Sequence, residues 1–516
     1  MQYIGKRETA ALCAAEVPTY NIQHTKYKNS APQISLMIDI HTLTIQKAHE
    51  HLKSGDFSAR ELTEAYCAEI EKKNPALNAY LEVFPGARAD ADRADKAFKE
   101  GNAGALTGIP LAVKDNILVK GERATCGSRI LEGYRATYDA GVIEQLKKES
   151  AVFLGRTNMD EFAMGSSTEH SAFGAAKNPH DESRVPGGSS GGSAAVVAAG
   201  LALGALGSDT GGSVRQPAAF CGVVGMKPTY GAVSRRGLVA LAPSLDQISP
   251  FAKTVGDAEI LFRAIAAHDP MDSTSAPEAL WEKHPPRTGA KRIGVPRHVF
   301  AEGGVDKDVL SLFDSGLERL RGEGYIIEEI VLPTLRYALA AYYIVMPAEA
   351  SANLARFDGV RYGLKKAGGS VLEEYEETRG AGFGDEPRMR ILLGTFVLSS
   401  GYHDAYYRKA TALRGVLRRE MEEAFRDVDF IAMPTTPTPA FKRGEKMSDP
   451  VSMYLSDTFT VPANITGVPA LSLPMGMVTR DGAALPAGFQ LMAPHWGDSS
   501  LFAIGKDFEK LLTTHR

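Results

Sequence analysis

Two glycine-serine clusters, PGGSSGGS (Pro186–Ser193) and DTGGS (Asp209–Ser213), bracket a run of small apolar residues, AAVVAAGLALGALG (Ala194–Gly207). No other feature constrains the chain as much. The run is apolar enough to demand burial, yet too short and too rich in Ala and Gly to span a bilayer, so it predicts a buried helix. The clusters at its ends therefore face a protein interior, where glycine lets backbone approach backbone closely. A flexible linker would not flank a buried helix, and it would not carry Asp209-Thr210 and Arg215-Gln216-Pro217 beside its glycines.

The flanking sequence predicts a sheet with helices on its faces. From Ile38 the pattern is helical; Ser58 and Glu61 form a capping box, and Leu62, Tyr66 and Ile70 follow at i, i+4 spacing. Ala87–Gly101 reads as an exposed helix. IPLAV (Ile109–Val113) reads as a buried strand ending at Lys114-Asp115-Asn116, then AGVIEQLKKES as a helix and AVFLGRT (Ala151–Thr157) as the next strand. Residues 270–300, rich in Pro, Gly and charge, predict a surface connection. Residues 301–425 predict a mainly helical segment with glycine breaks near Gly368 and Gly380–Gly384. Strand signals return at Phe430–Pro434, Ala470–Pro474 and Ala487–Met492. Strands from both ends of the chain are expected in one sheet, giving a single large domain over 37–516. Residues 1–36 lack periodicity and match neither a signal peptide nor an arginine-rich transit peptide, so they are expected to be a disordered extension.

Composition narrows the function. Of 516 residues 23% are charged, with a net charge of −4, which argues against a strong electrostatic footprint for nucleic acid or an anionic membrane. If the protein serves a nucleic acid, another chain does most of the holding. The four cysteines, Cys13, Cys67, Cys126 and Cys221, form no C-x-x-C pair, which argues against a disulfide framework or structural zinc and fits a reducing compartment.

Ser213, on a glycine turn with an acid and an arginine beside it, reads as a nucleophile. Neither cluster has the lysine of a phosphate-cradling loop. Gly187–Gly191 matches the nucleophile elbow G-x-S-x-G literally, but the preceding KNPHDESRVP is polar and broken by proline where that motif needs a strand. The base for Ser213 is open on these grounds. No histidine lies within about thirty residues of Ser213 on either side, the nearest upstream being His180 and the nearest downstream His268. A distant one such as His268 or His403 could serve, or a lysine made neutral by burial. Lys114, at the end of an apolar strand, is placed for the latter; neutrality at pH 7 requires lowering a pKa of ~10.4 by about three units.

Taken in order, IPLAVKDN, NMDEFAMGSS, RVPGGSSGGSAA and GSDTGGSVRQPAAFCGVVGMKPTYG resemble the amidase signature family, over Met37 to about Lys506. The resemblance implies an α/β fold with one large mixed, twisted β-sheet covered by helices on both faces. It also implies Ser213 as nucleophile, Ser189 as proton-relaying serine after a cis peptide, and Lys114 as base. The backbone N–H groups of Thr210, Gly211 and Gly212 are then the expected oxyanion hole, with Asp209 and Arg215 bracing the loop.

Within the family, NMDEFAMGSSTEHSAFG, ILLGTFVLSSGYHDAYYRKA and MYLSDTFTVPANITGVPALSLP are similar to the glutamine-hydrolysing subunits of tRNA-dependent amidotransferases. That similarity implies glutamine as substrate, bound by Arg390, Asp457 and Tyr343, with the neighbouring Tyr342 as the alternative to Tyr343. Ammonia would pass to B-type and C-type partner subunits of a heterotrimer, which hold the misacylated tRNA and use ATP and Mg2+. The product would be amidated Glu-tRNA(Gln), and Asp-tRNA(Asn) in some systems. It implies no cofactor or metal in this chain, no membrane, and a cytoplasmic location, or an organelle were the extension a transit segment. The competing expectation is a stand-alone amidase for small or aliphatic amides, which would have no need of Arg390 and Asp457.

Overall fold

Eleven strands form one mixed sheet in a computed structural model that describes residues 38–277, 280, 291–301 and 304–513. The expected extension over 1–36 lies outside the described residues. The strands are β1 Tyr80–Val83, β2 Pro110–Lys114, β3 Val152–Thr157, β4 Gly204–Asp209, β5 Val224–Lys227 and β6 Gln247–Ala252. They continue as β7 Arg292–Val295, β8 Ile326–Glu329, β9 Phe430–Pro434, β10 Ala470–Arg480 and β11 Ala483–Met492. Their order is β1-β3-β2-β4-β6-β5-β10-β11-β9-β7-β8. The fold is therefore the expected α/β architecture, with helices packed against a sheet to which both ends of the described chain contribute.

The middle of the sheet places the site. β2 runs parallel to β3 on one side and β4 on the other. Each of its residues is buried, which is why the run reads as continuously apolar until Lys114. β4 then pairs antiparallel with β6, β6 with β5, and β5 with β10. The capping box at Ser58 and Glu61 is present, and Leu62, Tyr66 and Ile70 are buried beneath it.

Three sequence expectations are corrected. The run Ala194–Gly207 is buried but is not one helix: a helix over Gly191–Ala198 ends before Gly200, whose φ of 71° is left-handed, and the chain then enters β4. Partners on both sides of β4 override the local helical preference, because Leu206 and its neighbours pair with β2 and β6. β7 and β8 are the other two departures. β7 lies inside the expected surface connection, and β8 interrupts the expected helical segment. Both are four-residue strands near one edge of the sheet, too short to leave a period-2 signal.

That segment is otherwise helical, with helices over Lys307–Gly322, Ala338–Leu354, Val371–Gly382, Asp385–Leu398 and Arg408–Asp427. Part of it builds a second apolar cluster, separate from the sheet core, in which Phe162, Tyr342, Val345, Phe357, Phe383 and Leu417 pack together. No helix among the described residues is long and apolar enough to cross a membrane.

Candidate active site

The ends of β2 and β4 and the two glycine-serine loops meet at a buried amine. Lys114 is the last residue of β2 and has no exposed surface. Its Nζ lies within hydrogen-bonding distance of three hydroxyls, Ser189 Oγ at 2.8 Å, Ser190 Oγ at 2.8 Å and Ser208 Oγ at 2.9 Å, all of which accept from it when it is an ammonium. Burial pushes the amine down to about 7, against the raising influence of Asp160, Asp209 and Asp246. The peptide Gly188–Ser189 is cis.

Ser213 lies on the turn between β4 and the helix Arg215–Cys221 and is 8% exposed. Its loop is joined to the Ser189 loop by a hydrogen bond from Ser190 N–H to the Ser213 carbonyl, 3.2 Å. Among the described residues no hydrogen bond joins the Ser189 and Ser213 hydroxyls directly. Gly212 has a φ of 135°, a conformation suited to glycine, and a side chain there would overlap Thr460.

Of the three expected oxyanion donors, Gly212 turns its N–H inward, to Asp209 Oδ1 at 2.9 Å. The N–H groups of Thr210 and Gly211 donate to no protein acceptor among the described residues, and Gly211 packs against the ring of Tyr342.

Asp209 and Arg215 brace this turn. Their side chains pair at 3.0 Å with neither exposed. Burial alone would raise the Asp209 carboxyl, but the adjacent Arg215 guanidinium outweighs it and holds the group at about 2. Arg215 also donates to the Thr460 carbonyl, Gln490 Oε1 and Asn464 Oδ1 at 2.6–2.8 Å. A charge this deep is tolerated because its donors are satisfied.

The second group of expected residues gathers on the helices beside this turn. Arg390, on the inner face of Asp385–Leu398, is 3% exposed, and its Nε donates to Glu386 Oε1 at 2.7 Å. The guanidinium carbon lies 4.9 Å from the centre of the Tyr343 ring and 4.7 Å from that of Tyr454, and those two rings stack at 4.0 Å. Asp457 accepts from Ser166 Oγ at 2.6 Å, and burial pushes its carboxyl up to about 7. Both tyrosines weighed from sequence are present: Tyr342 faces Gly211 of the nucleophile turn, and Tyr343 faces Arg390. A cavity of about 620 Å3, whose walls include Glu161, His170, Gly384 and Glu386, reaches the carboxylate that holds Arg390.

Sequence reasoning missed Ser190, Ser208, Asn116, Ser166, Glu386 and Tyr454. Glu386 had a signal, since it precedes Arg390 by one helical turn. Ser166 had none, because it meets Asp457 across 291 positions of chain.

A buried lysine thus touches the serine of one glycine loop, and a second serine stands on the adjoining loop. Residues 61–502 match the Amidase family, and the chain belongs to it. The A-type subunit of glutamyl-tRNA(Gln) amidotransferase from Chloroflexus aurantiacus is 50% identical over 484 residues, 93% of this chain and 98% of that protein. The same-named protein of Desulfatibacillum aliphaticivorans is 48% identical, over 92% of this chain and 98% of its own length. Among solved structures, the A-type glutamyl-tRNA(Gln) amidotransferase subunit of Thermotoga maritima superposes with a TM-score of 0.72 at 40% identity, covering 90% of this chain and 94% of that one. Native peptide amidase from Stenotrophomonas maltophilia superposes with a TM-score of 0.73 at 28% identity, covering 92% and 97%.

Proposed function

We propose that this chain is the glutamine-hydrolysing subunit of a tRNA-dependent amidotransferase, supplying ammonia for the amidation of Glu-tRNA(Gln), and of Asp-tRNA(Asn) where the assembly accepts it. The observation that carries the reading is the fully buried Lys114 amine, held 2.8 Å from Ser189 beside the Ser213 turn. Ser213 Oγ attacks the side-chain amide carbon of glutamine. Its proton goes to Ser189 as Ser189 gives its own to Lys114, and the relay closes when substrate seats the two hydroxyls. The N–H groups of Thr210 and Gly211 stabilise the oxyanion, and the Asp209 bond of Gly212 keeps the turn in shape. The C–N bond then breaks as the nitrogen takes a proton back through Ser189. Ammonia leaves, and water hydrolyses the acyl-Ser213 ester to glutamate.

Arg390 takes the substrate carboxylate and Asp457 its ammonium, with Tyr343 beside them. Glu386 occupies one edge of the guanidinium. Nη1 meets the Met346 sulfur at 3.8 Å, a weak acceptor that a ligand carboxylate readily replaces. B-type and C-type partner subunits carry the ATP- and Mg2+-dependent activation and most of the tRNA contact, consistent with the net charge of −4 on this chain. The test is Ser213→Ala in the assembled complex. Ammonia release from glutamine is lost, while ammonium salts still support amide formation on tRNA. Glutamine hydrolysis at the normal rate in this variant would overturn the assignment.

A further inference from the structure

Three hydroxyls surround the Lys114 amine, and an amine has three corners besides its carbon. The hydroxyl of Ser190 is committed elsewhere: it donates to the Ser208 carbonyl at 3.1 Å, so Ser190 meets Lys114 as an acceptor. Ser208 Oγ lies 2.9 Å from Nζ and is held from its other side by Asn116 Nδ2, also at 2.9 Å. The third corner faces Ser189. All five residues are buried, and the Asn116 amide oxygen is buried with no hydrogen-bond partner among the described residues. Burying an unpaired amide oxygen costs stability, so packing does not account for an asparagine at this position.

We propose that Asn116 and Ser208 are positioning residues for the base: Asn116 fixes the Ser208 hydroxyl, Ser208 and Ser190 take two N–H groups of Lys114, and the amine's lone pair is left facing Ser189. The inference rests on the reading of Lys114 as the base. An amine free to rotate would offer its lone pair to any of the three hydroxyls, and only the one aimed at Ser189 accepts the relayed proton. An asparagine, unlike an aspartate, holds Ser208 without adding charge. The charged or titratable groups already facing Lys114 are Asp160 from the loop after β3, Asp209 at the end of β4, Asp246 ahead of β6 and the Cys126 thiol. A further carboxylate on the β2 side would hold the amine protonated.

The experiment is the pH dependence of kcat/KM with propionamide, an uncharged amide that makes no use of Arg390 or Asp457, for the wild type, Asn116→Asp and Ser208→Ala. In Asn116→Asp the acid limb moves to higher pH by ~1 unit, because a neighbouring carboxylate favours the ammonium. In Ser208→Ala it moves the other way, because the ammonium loses an acceptor. The plateau of Ser208→Ala also falls about tenfold as the amine loses its orientation. Opposite displacements are a signature that general loosening of the fold does not produce. If both variants keep the wild-type limb, the inference is overturned. Lys114→Ala, measured alongside, separates the two readings. Retained hydrolysis there removes Lys114 as base, whereas lost hydrolysis with unmoved limbs removes only the roles of Asn116 and Ser208.

Discussion

Lys114 and Arg390 are both buried basic side chains, yet they are held by different material. Lys114 ends a central strand, and its partners Ser189, Ser190 and Ser208 belong to loops and strands locked into the sheet core. Arg390 rides on the helix Asp385–Leu398, whose inner face packs into the second apolar cluster while Leu392 on the outer face is 71% exposed. The environments also act in opposite directions. Burial, with only neutral hydroxyls and a carbonyl at hydrogen-bonding distance, pushes Lys114 down to about 7. Arg390 is equally buried, but Tyr343 and Glu386 lie against it and keep it charged. On the proposed reading the sheet region makes a proton acceptor and the helical region keeps a permanent charge, the division that separate steps of chemistry and recognition require.

Substitutions can break this comparison in decreasing order of effect. Lys114→Arg replaces a base with a group that stays protonated. It is expected to lower kcat/KM by ~10^3-fold or more, equally for glutamine and propionamide, because both need the relay. An arginine variant that retained activity would show that Lys114 acts only as a charge. Arg390→Ala and Asp457→Asn sharpen the comparison from the other side. Each removes one charged hydrogen bond to glutamine, worth ~1.5–3 kcal/mol or roughly ten- to hundredfold, and leaves propionamide hydrolysis unchanged. Equal losses on both substrates would mean that the helices support catalysis as well as recognition.

The smallest effect is in pH dependence. Lys114 must be neutral to accept a proton and Asp457 must be ionised to hold an ammonium, and burial places both at about 7. Acid protonates both, so kcat/KM for glutamine falls with a slope approaching two below pH 7. For propionamide, which needs only Lys114, the slope is one. At pH 6 the substrates differ by about tenfold relative to their plateaus, at one unit per proton. In Asp457→Asn the glutamine slope drops to one. A slope of one for glutamine in the wild-type protein would place the titration of Asp457 outside this range.

The same division explains what could be read in the sequence. Lys114, Ser189 and Ser213 stand in motifs whose neighbours along the chain are also their neighbours in space, because β2, β4 and the glycine loops are each built from contiguous residues. Arg390, Asp457 and Tyr343 were singled out through the family resemblance, and their surroundings were not legible. Tyr454 stacks on Tyr343, and Ser166 reaches Asp457, through contacts that join distant segments and leave no periodic trace. The helix boundary inside Ala194–Gly207 was illegible for a related reason. The turn at Gly200 and the pairing of β4 with β2 and β6 decide it, and small apolar residues suit helix and strand alike.

The bracing of Ser213 has a consequence for biosynthesis. Arg215 is anchored to Thr460, Asn464 and Gln490, which leave the ribosome some 245 to 275 residues after it. By the time Arg215 emerges, Lys114, Ser189 and Ser213 have all been made, yet the turn that presents the nucleophile still lacks its supports. Contacts this remote in sequence form late in folding. A nascent chain that ends before Thr460 would thus carry Lys114, Ser189 and Ser213 while Arg215 still lacked all three of these anchors.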